Sequence, residues 1–287
     1  MHEVYNNLNC LFIGLGLIGG SIAKSLKRIA PKIRISVYNP DQRSLEQAQK
    51  DGICDAIMGD INAGIPAYDI IFLCAPVLEN EKILQNLRFS CNYDGIITDV
   101  GSVKNKIVSI AQTVGFSKCF IGGHPMAGKE RFGYESATDS LYQDAYFLLT
   151  PACDVPNEKV SFLENLLSAI GARPMVISPA HHDVLVSAIS HLPHLAAYSL
   201  VNLVKDADEK DGLMKLLAAG GFKDITRVAS SSPDMWEQIC MDNLDNIEDM
   251  LGRYIQILKE VQTLLKGKNG PALHAFFEKA KAYRDSF

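Results

Sequence analysis

Several features that would narrow a function on their own are missing from these 287 residues. There is no surplus of positive charge: 28 Lys and Arg stand against 33 Asp and Glu, a net of −5. A chain balanced this way has no general field for nucleic acid or an anionic membrane. Any anionic ligand must then be held by a few placed cations. The seven cysteines (10, 54, 74, 91, 119, 153 and 240) are odd in number and contain no C-x-x-C pair. That pattern argues against a disulfide framework and against a structural zinc site. No basic stretch leads into an apolar run near the start, so no secretory signal is expected. The most apolar early segment, Cys10 to Ile18, is too short and glycine-interrupted for a membrane span. Internal repeats and low-complexity stretches are lacking as well. A cytoplasmic location is the simplest expectation.

What is present is the profile of a well-packed globular protein, 47% hydrophobic and 21% charged, long enough for two domains. Through residue 177, short apolar runs alternate with helical patterns. Strands are predicted over 9–13, 33–38, 69–75, 95–100, 119–122, 146–150 and 174–177. Helices are predicted between them over 17–28, 41–51, 79–87, 103–113 and 157–170. Strands that are apolar throughout imply burial on both faces, hence a mostly parallel sheet with helices on each side. After residue 177 the strand signals stop. Helices are predicted over 179–206, 210–219, 224–231 and 272–284, and one 31-residue amphipathic helix over 235–265. The division expected is an α/β domain over 1–177 and an all-helical domain over 178–287. The longest helix exceeds what a small bundle needs and is read as a dimerisation element.

The segment Gly14-Leu-Gly16-Leu17-Ile18-Gly19-Gly20-Ser21 follows the first strand and opens the first helix. In a dinucleotide-binding turn of this Rossmann type, the first glycine permits the tight turn and the second admits the pyrophosphate. The third allows close helix–strand packing. The end of the second strand reads Tyr38-Asn39-Pro40-Asp41-Gln42-Arg43-Ser44. Asn39 holds the position where an acid would bond the ribose of NAD. Arg43 and Ser44 could take a 2′-phosphate, while Asp41 could replace the missing carboxylate, so NAD and NADP both stay open. Ala75 and Pro76, after Cys74, end a strand and would lie beside the cofactor.

Three further segments carry polar groups that folding alone does not require. Asp99-Val-Gly-Ser102-Val-Lys104 lies at the carboxyl end of a strand, where open α/β sheets place ligands; Ser102 also suits the cap of the next helix. Gly122-Gly123-His124-Pro125-Met126-Ala127-Gly128-Lys129-Glu130 sets a histidine among glycines and proline. A near-neutral imidazole there can take a hydroxyl proton while hydride leaves the same carbon. Ser190-His191-Leu192-Pro193-His194 places two histidines three apart on one helix face. No carboxylate or thiolate at ligand spacing joins them, so no metal is assigned. Arg227, in the segment Gly220 to Arg227, has the planar fork that binds a carboxylate, although an arginine on a helix is by default a solvated charge.

Together these segments resemble the prephenate dehydrogenase family over nearly the whole chain. The matching motifs are G-L-G-L-I-G-G-S, D-V-G-S-V-K, G-G-H-P-M-A-G-K-E, S-H-L-P-H and G-F-K-D-I-T-R-V-A-S-S-S-P-D-M-W, the last ending at Trp236. The resemblance implies oxidative decarboxylation of prephenate to 4-hydroxyphenylpyruvate with NAD or NADP, in tyrosine biosynthesis, by a homodimer joined through the helical domain. It implies that His124 accepts the ring hydroxyl proton and that Ser102 sits by the nicotinamide and that hydroxyl. Arg227 would bind a substrate carboxylate, with His191 and His194 lining that side. Lys129 and Glu130 would gate access or balance charge, and Trp236 would help close the pocket. Neither an appended regulatory domain nor a fused chorismate mutase is expected. Arogenate is an alternative substrate. Rival readings are another two-domain NAD(P)-dependent dehydrogenase or a nucleotide-sensing binding protein.

Overall fold

After its first residue, strand β1 (Asn9–Ile13) is buried along its whole length. Alternation sends Cys10 and Phe12 into one apolar core and Leu11 and Ile13 into another, on opposite faces of the sheet. Strand β4 (Ile70–Leu73) repeats the pattern, with Ile70 and Phe72 on the first face and Ile71 and Leu73 on the second. Phe12 and Phe72 stack across the two strands, ring centroids 4.6 Å apart. Each such side chain contributes roughly 1.5–3 kcal/mol by leaving water. This two-sided burial is the physical reason these strands are continuous apolar runs.

The computed structural model describes residues 3–62, 65–87, 93–128, 132–208 and 212–287. The remaining strands are β2 (Arg34–Tyr38), β3 (Ala56–Ile57), β5 (Ile96–Asp99), β6 (Phe120–Pro125), β7 (Tyr146–Pro151) and β8 (Arg173–Val176). They form one eight-stranded sheet in the order β3-β2-β1-β4-β5-β6-β7-β8. All neighbours run parallel except β6 and β7. Helices α1 (Leu17–Ile29), α2 (Gln42–Lys50) and α5 (Asn157–Ala169) cover one face. Helices α3 (Val77–Asn86) and α4 (Asn105–Thr113) cover the other. The order reverses between β1 and β4, which makes the crevice beyond their carboxyl ends the expected ligand site. Strand β6 runs further than predicted, to Pro125, so His124 stands on a strand, paired with Leu148 of β7.

The helical half starts with α6 (Pro179–Val186), a π-helical turn (Ser187–His191) and α7 (Leu192–Ala207). The irregularity lies in the π turn just before Pro193, where the chain absorbs the proline's missing N–H and ring bulk. The run Pro179–Ala207 is long and apolar enough to cross a bilayer, with a mean hydropathy of 1.4. Its inward residues nevertheless include His182, Asp183 and His191, each buried and hydrogen-bonded to protein.

Then follow α8 (Leu213–Leu217), α9 (Gly220–Thr226), a 3-10 turn (Arg227–Ser230), α10 (Pro233–Asp242), α11 (Leu244–Lys266) and α12 (Gly270–Arg284). The single helix predicted over 235–265 is therefore two, broken at Asn243. That residue leaves the helical backbone region (φ −120°, ψ 32°). Its buried amide donates 2.9 Å to the Asp183 carbonyl and meets His191 Nδ1 at 3.1 Å. Those two bonds to another helix outweigh the one helical bond that the break gives up. The outer surface of this half is unusually apolar, with Ile189, Leu203, Leu216, Leu217, Ile225 and Met241 all more than 60% exposed.

Candidate active site

Gly14 turns the chain out of β1 with φ +95°, and a Cβ there would sit 2.6 Å from the Cys74 carbonyl carbon. Only glycine meets both demands. Gly19 packs on the Cys74 side chain, while a Cβ at Gly16 would meet nothing within 4 Å. Helix α1, which starts at Leu17 and Ile18, has no side chain capping its N-terminus. Open space in front of uncapped N–H groups fits a pyrophosphate.

At the end of β2, Asn39 turns its carboxamide oxygen to Leu15 N at 3.2 Å and its NH2 to the Asp41 carbonyl. Asp41 caps α2 through one carboxylate oxygen, Oδ2, which accepts from Ser44 N and Ser44 Oγ. The Ser44 bonds hold its carboxyl below the usual range. Ser44 is buried in that cap, while Arg43 is exposed. Ala75 closes against Gly14, its N–H held by Asn80 Oδ1 at 3.1 Å, and Pro76 precedes α3.

Two places further along the sheet, β5 ends on Asp99. Its carboxylate accepts from Gly101 N at 2.8 Å and Gly123 N at 3.1 Å and is ion-paired with Lys104. Lys104 also donates to the Gly123 carbonyl at 2.9 Å, and both charged side chains are sealed from solvent. Burial pulls the Lys104 ammonium below its ordinary pKa, and Asp99 opposes that shift. Gly123 is thus gripped at both its N–H and its carbonyl. A Cβ on it would lie 2.4 Å from the Asp99 carbonyl oxygen. Ser102 sits in the loop above this clamp, half-buried, and its side chain bonds to none of the described residues. It is not the cap of α4: Asp183, from α6, accepts from Lys104 N at 2.8 Å and Asn105 N at 2.9 Å instead.

His124 follows Gly123. Its Nδ1 lies 2.8 Å from His182 Nε2, and His182 Nδ1 lies 2.7 Å from the Asp183 carboxylate. Burial, then the neighbouring His182, Lys104 and His191, hold the His124 imidazole well below its ordinary pKa, so it is neutral near pH 7. Burial similarly lowers His182, and lowers His191 to about 4. His194 stacks on Trp236 with ring centroids 3.8 Å apart, and His191 meets the same indole edge-on. Trp236 packs with Val103, next to Ser102, which brings the helical half against the β5–α4 loop. Arg227 is exposed at the start of its 3-10 turn and is not among the groups bonded to His124. Lys129 and Glu130 lie outside the described residues.

Residues 22–176 match the family described as prephenate dehydrogenase, nucleotide-binding domain, and residues 178–279 match prephenate dehydrogenase, dimerization domain. The chain belongs to the prephenate dehydrogenase family. It is 38% identical to prephenate dehydrogenase of Bacillus subtilis, over 96% of this chain and 75% of that one. It superposes on prephenate dehydrogenase from A. aeolicus, solved with hydroxyphenyl propionate and NAD+, at TM-score 0.89 and 32% identity. That match covers 97% of this chain and 98% of the other. Synechocystis arogenate dehydrogenase gives TM-score 0.82 at 31% identity, covering 97% and 99%. Against this family background, reasoning from sequence missed His182, Asp183 and the part played by Lys104 and Asp99. A buried histidine–aspartate pair on a helix has no local sequence signal. The partners lie 58 and 79 residues away.

Proposed function

We propose that the chain oxidises and decarboxylates prephenate to 4-hydroxyphenylpyruvate, with His124 as the base. The observation that carries this reading is a neutral histidine at the carboxyl edge of the sheet, three strands from a glycine turn that fits a dinucleotide. Bound nicotinamide cofactor supplies the hydride acceptor. His124 takes the ring hydroxyl proton as that carbon gives up its hydride, and Ser102 holds the same hydroxyl. The C–C bond to the ring carboxylate then breaks, its electron pair enters the ring, and carbon dioxide leaves. Aromatisation drives that step. His124 returns its proton to the phenol oxygen, so no net proton is released. Arg227 takes a substrate carboxylate through its planar fork, and His191, His194 and Trp236 form the helical wall of the pocket.

NAD is the cofactor proposed. Ser44 is tied to Asp41, and the Asp41 charge opposes a 2′-phosphate. The apolar face carrying Leu203, Leu216 and Leu217 joins two copies into a dimer, consistent with a dimerization-domain match over 178–279. The test is a grid of initial rates with prephenate or arogenate, each with NAD or NADP. The expected result is a dominant rate with prephenate and NAD. Silence in all four cells, from folded protein that binds cofactor, would refute the reading. In the productive cell, His124→Asn lowers turnover by ~10²–10⁴-fold while cofactor binding persists.

A further inference from the structure

We propose that His182 and Asp183 are positioning residues that hold the reactive lone pair of His124 on Nε2 and share the positive charge that His124 gains with the proton. The inference rests on the reading of His124 as the base.

The hydrogen-bond sequence admits one neutral arrangement. The Asp183 carboxylate accepts two backbone N–H groups at the start of α4, from Lys104 and Asn105, so its oxygens are engaged as acceptors. An ionised carboxylate has no proton to give. His182 Nδ1, 2.7 Å away, must therefore be the N–H side of that contact. A neutral imidazole with N–H at Nδ1 has its lone pair at Nε2. That lone pair faces His124 Nδ1 at 2.8 Å, so His124 donates from Nδ1 and keeps Nε2 bare for a substrate hydroxyl. Burial holds both rings neutral, as this arrangement requires.

His182 is fully sealed from solvent, so no water can serve in its place. A purely structural side chain at this position would do better as an apolar residue, since a buried imidazole must find partners for both nitrogens. When His124 takes the hydroxyl proton at Nε2, its Nδ1–H leans further onto His182, and the positive charge spreads toward the Asp183 anion. The proton goes back to the phenol oxygen by the same route. The proton taken from the hydroxyl is the one returned, so this relay needs no further reactant.

The tautomer can be read on resting protein by 15N NMR of histidine-labelled chains, which contain seven histidines. Wild-type His124 is expected to show N–H at Nδ1 and an acceptor-type Nε2. In His182→Leu that pattern is lost and turnover falls about 10²-fold, the lower end of what a positioned base contributes. In a His124→Asn background the same change lowers turnover no further. His182→Gln, whose amide oxygen can accept from Nδ1, regains part of the lost rate. An unchanged His124 tautomer in His182→Leu, or an equal fall in both backgrounds, would overturn the proposal. Because the NMR pattern needs no turnover, wild-type protein with N–H at Nδ1 but no activity on any cyclohexadienyl substrate supports the positioning and refutes only the reaction.

Discussion

Replacing Lys104 with Met isolates the contribution of the buried clamp beneath His124. Among the described residues Lys104 is the only cation paired with Asp99, and neither side chain is more than 1% exposed. The substitution leaves a buried carboxylate that keeps two backbone N–H donors, from Gly101 and Gly123, and leaves the Gly123 carbonyl without its Lys104 bond. Removing one partner of a buried pair costs about 3–5 kcal/mol, and the two surviving donors place this case at about 3. For a chain of this size that is a fall in melting temperature of about 6–12 °C. Differential scanning calorimetry reads it directly. The double variant Asp99→Asn/Lys104→Met removes both charges and should recover at least half the loss, because the penalty comes from the uncompensated anion. A single variant melting within about 2 °C of the wild type would refute the reasoning. So would a double variant no more stable than the single.

Three histidines set a pH dependence. His124, His182 and His191 all have folded pKa values below their ordinary one, so the unfolded chain binds protons first. Stability should be fully present above about pH 6.5 and fall as the pH drops toward about 4, the His191 value; a flat urea midpoint across that window would contradict it. The acid limb of the pH–rate profile should likewise lie below about 6.5. Arg227→Ala is expected mainly to raise the substrate KM, and an unchanged KM would mean the carboxylate is held elsewhere. Leu216→Lys with Leu217→Lys adds two charges to the exposed apolar face and should give monomers by analytical ultracentrifugation. Persistence of the dimer would place the interface on another surface.

Strands that are buried on both faces announce themselves as apolar runs, and for that reason β1, β4 and β5 are legible in the sequence. The glycine turn was legible too, since its spacing serves one backbone path. The break at Asn243 was not, because its cause is a pair of hydrogen bonds to residues 60 and 52 positions earlier. Ser102 had every local mark of a helix cap, yet a side chain from α6 does that work. The polar chain behind His124 was hidden for the same reason. His182 and Asp183 fall within the helix predicted over 179–206, and it is the packing of α6 on α4 that turns them inward. Lys129 and Glu130, singled out by resemblance, lie among residues the structure does not describe.

The placement of Asp183 limits how this protein could be recombined with its relatives. An engineer cutting between β8 and α6 would judge the junction clean, since the sheet ends at Val176 and a helix begins at Pro179. Yet α6 carries the carboxylate that starts α4 and the imidazole that faces His124. On the proposed role of His124, a chimaera keeping the native sheet but borrowing a helical half with a differently seated α6 would lack an oriented base. The functional seam of the molecule therefore lies several residues downstream of its visible one, after Asp183.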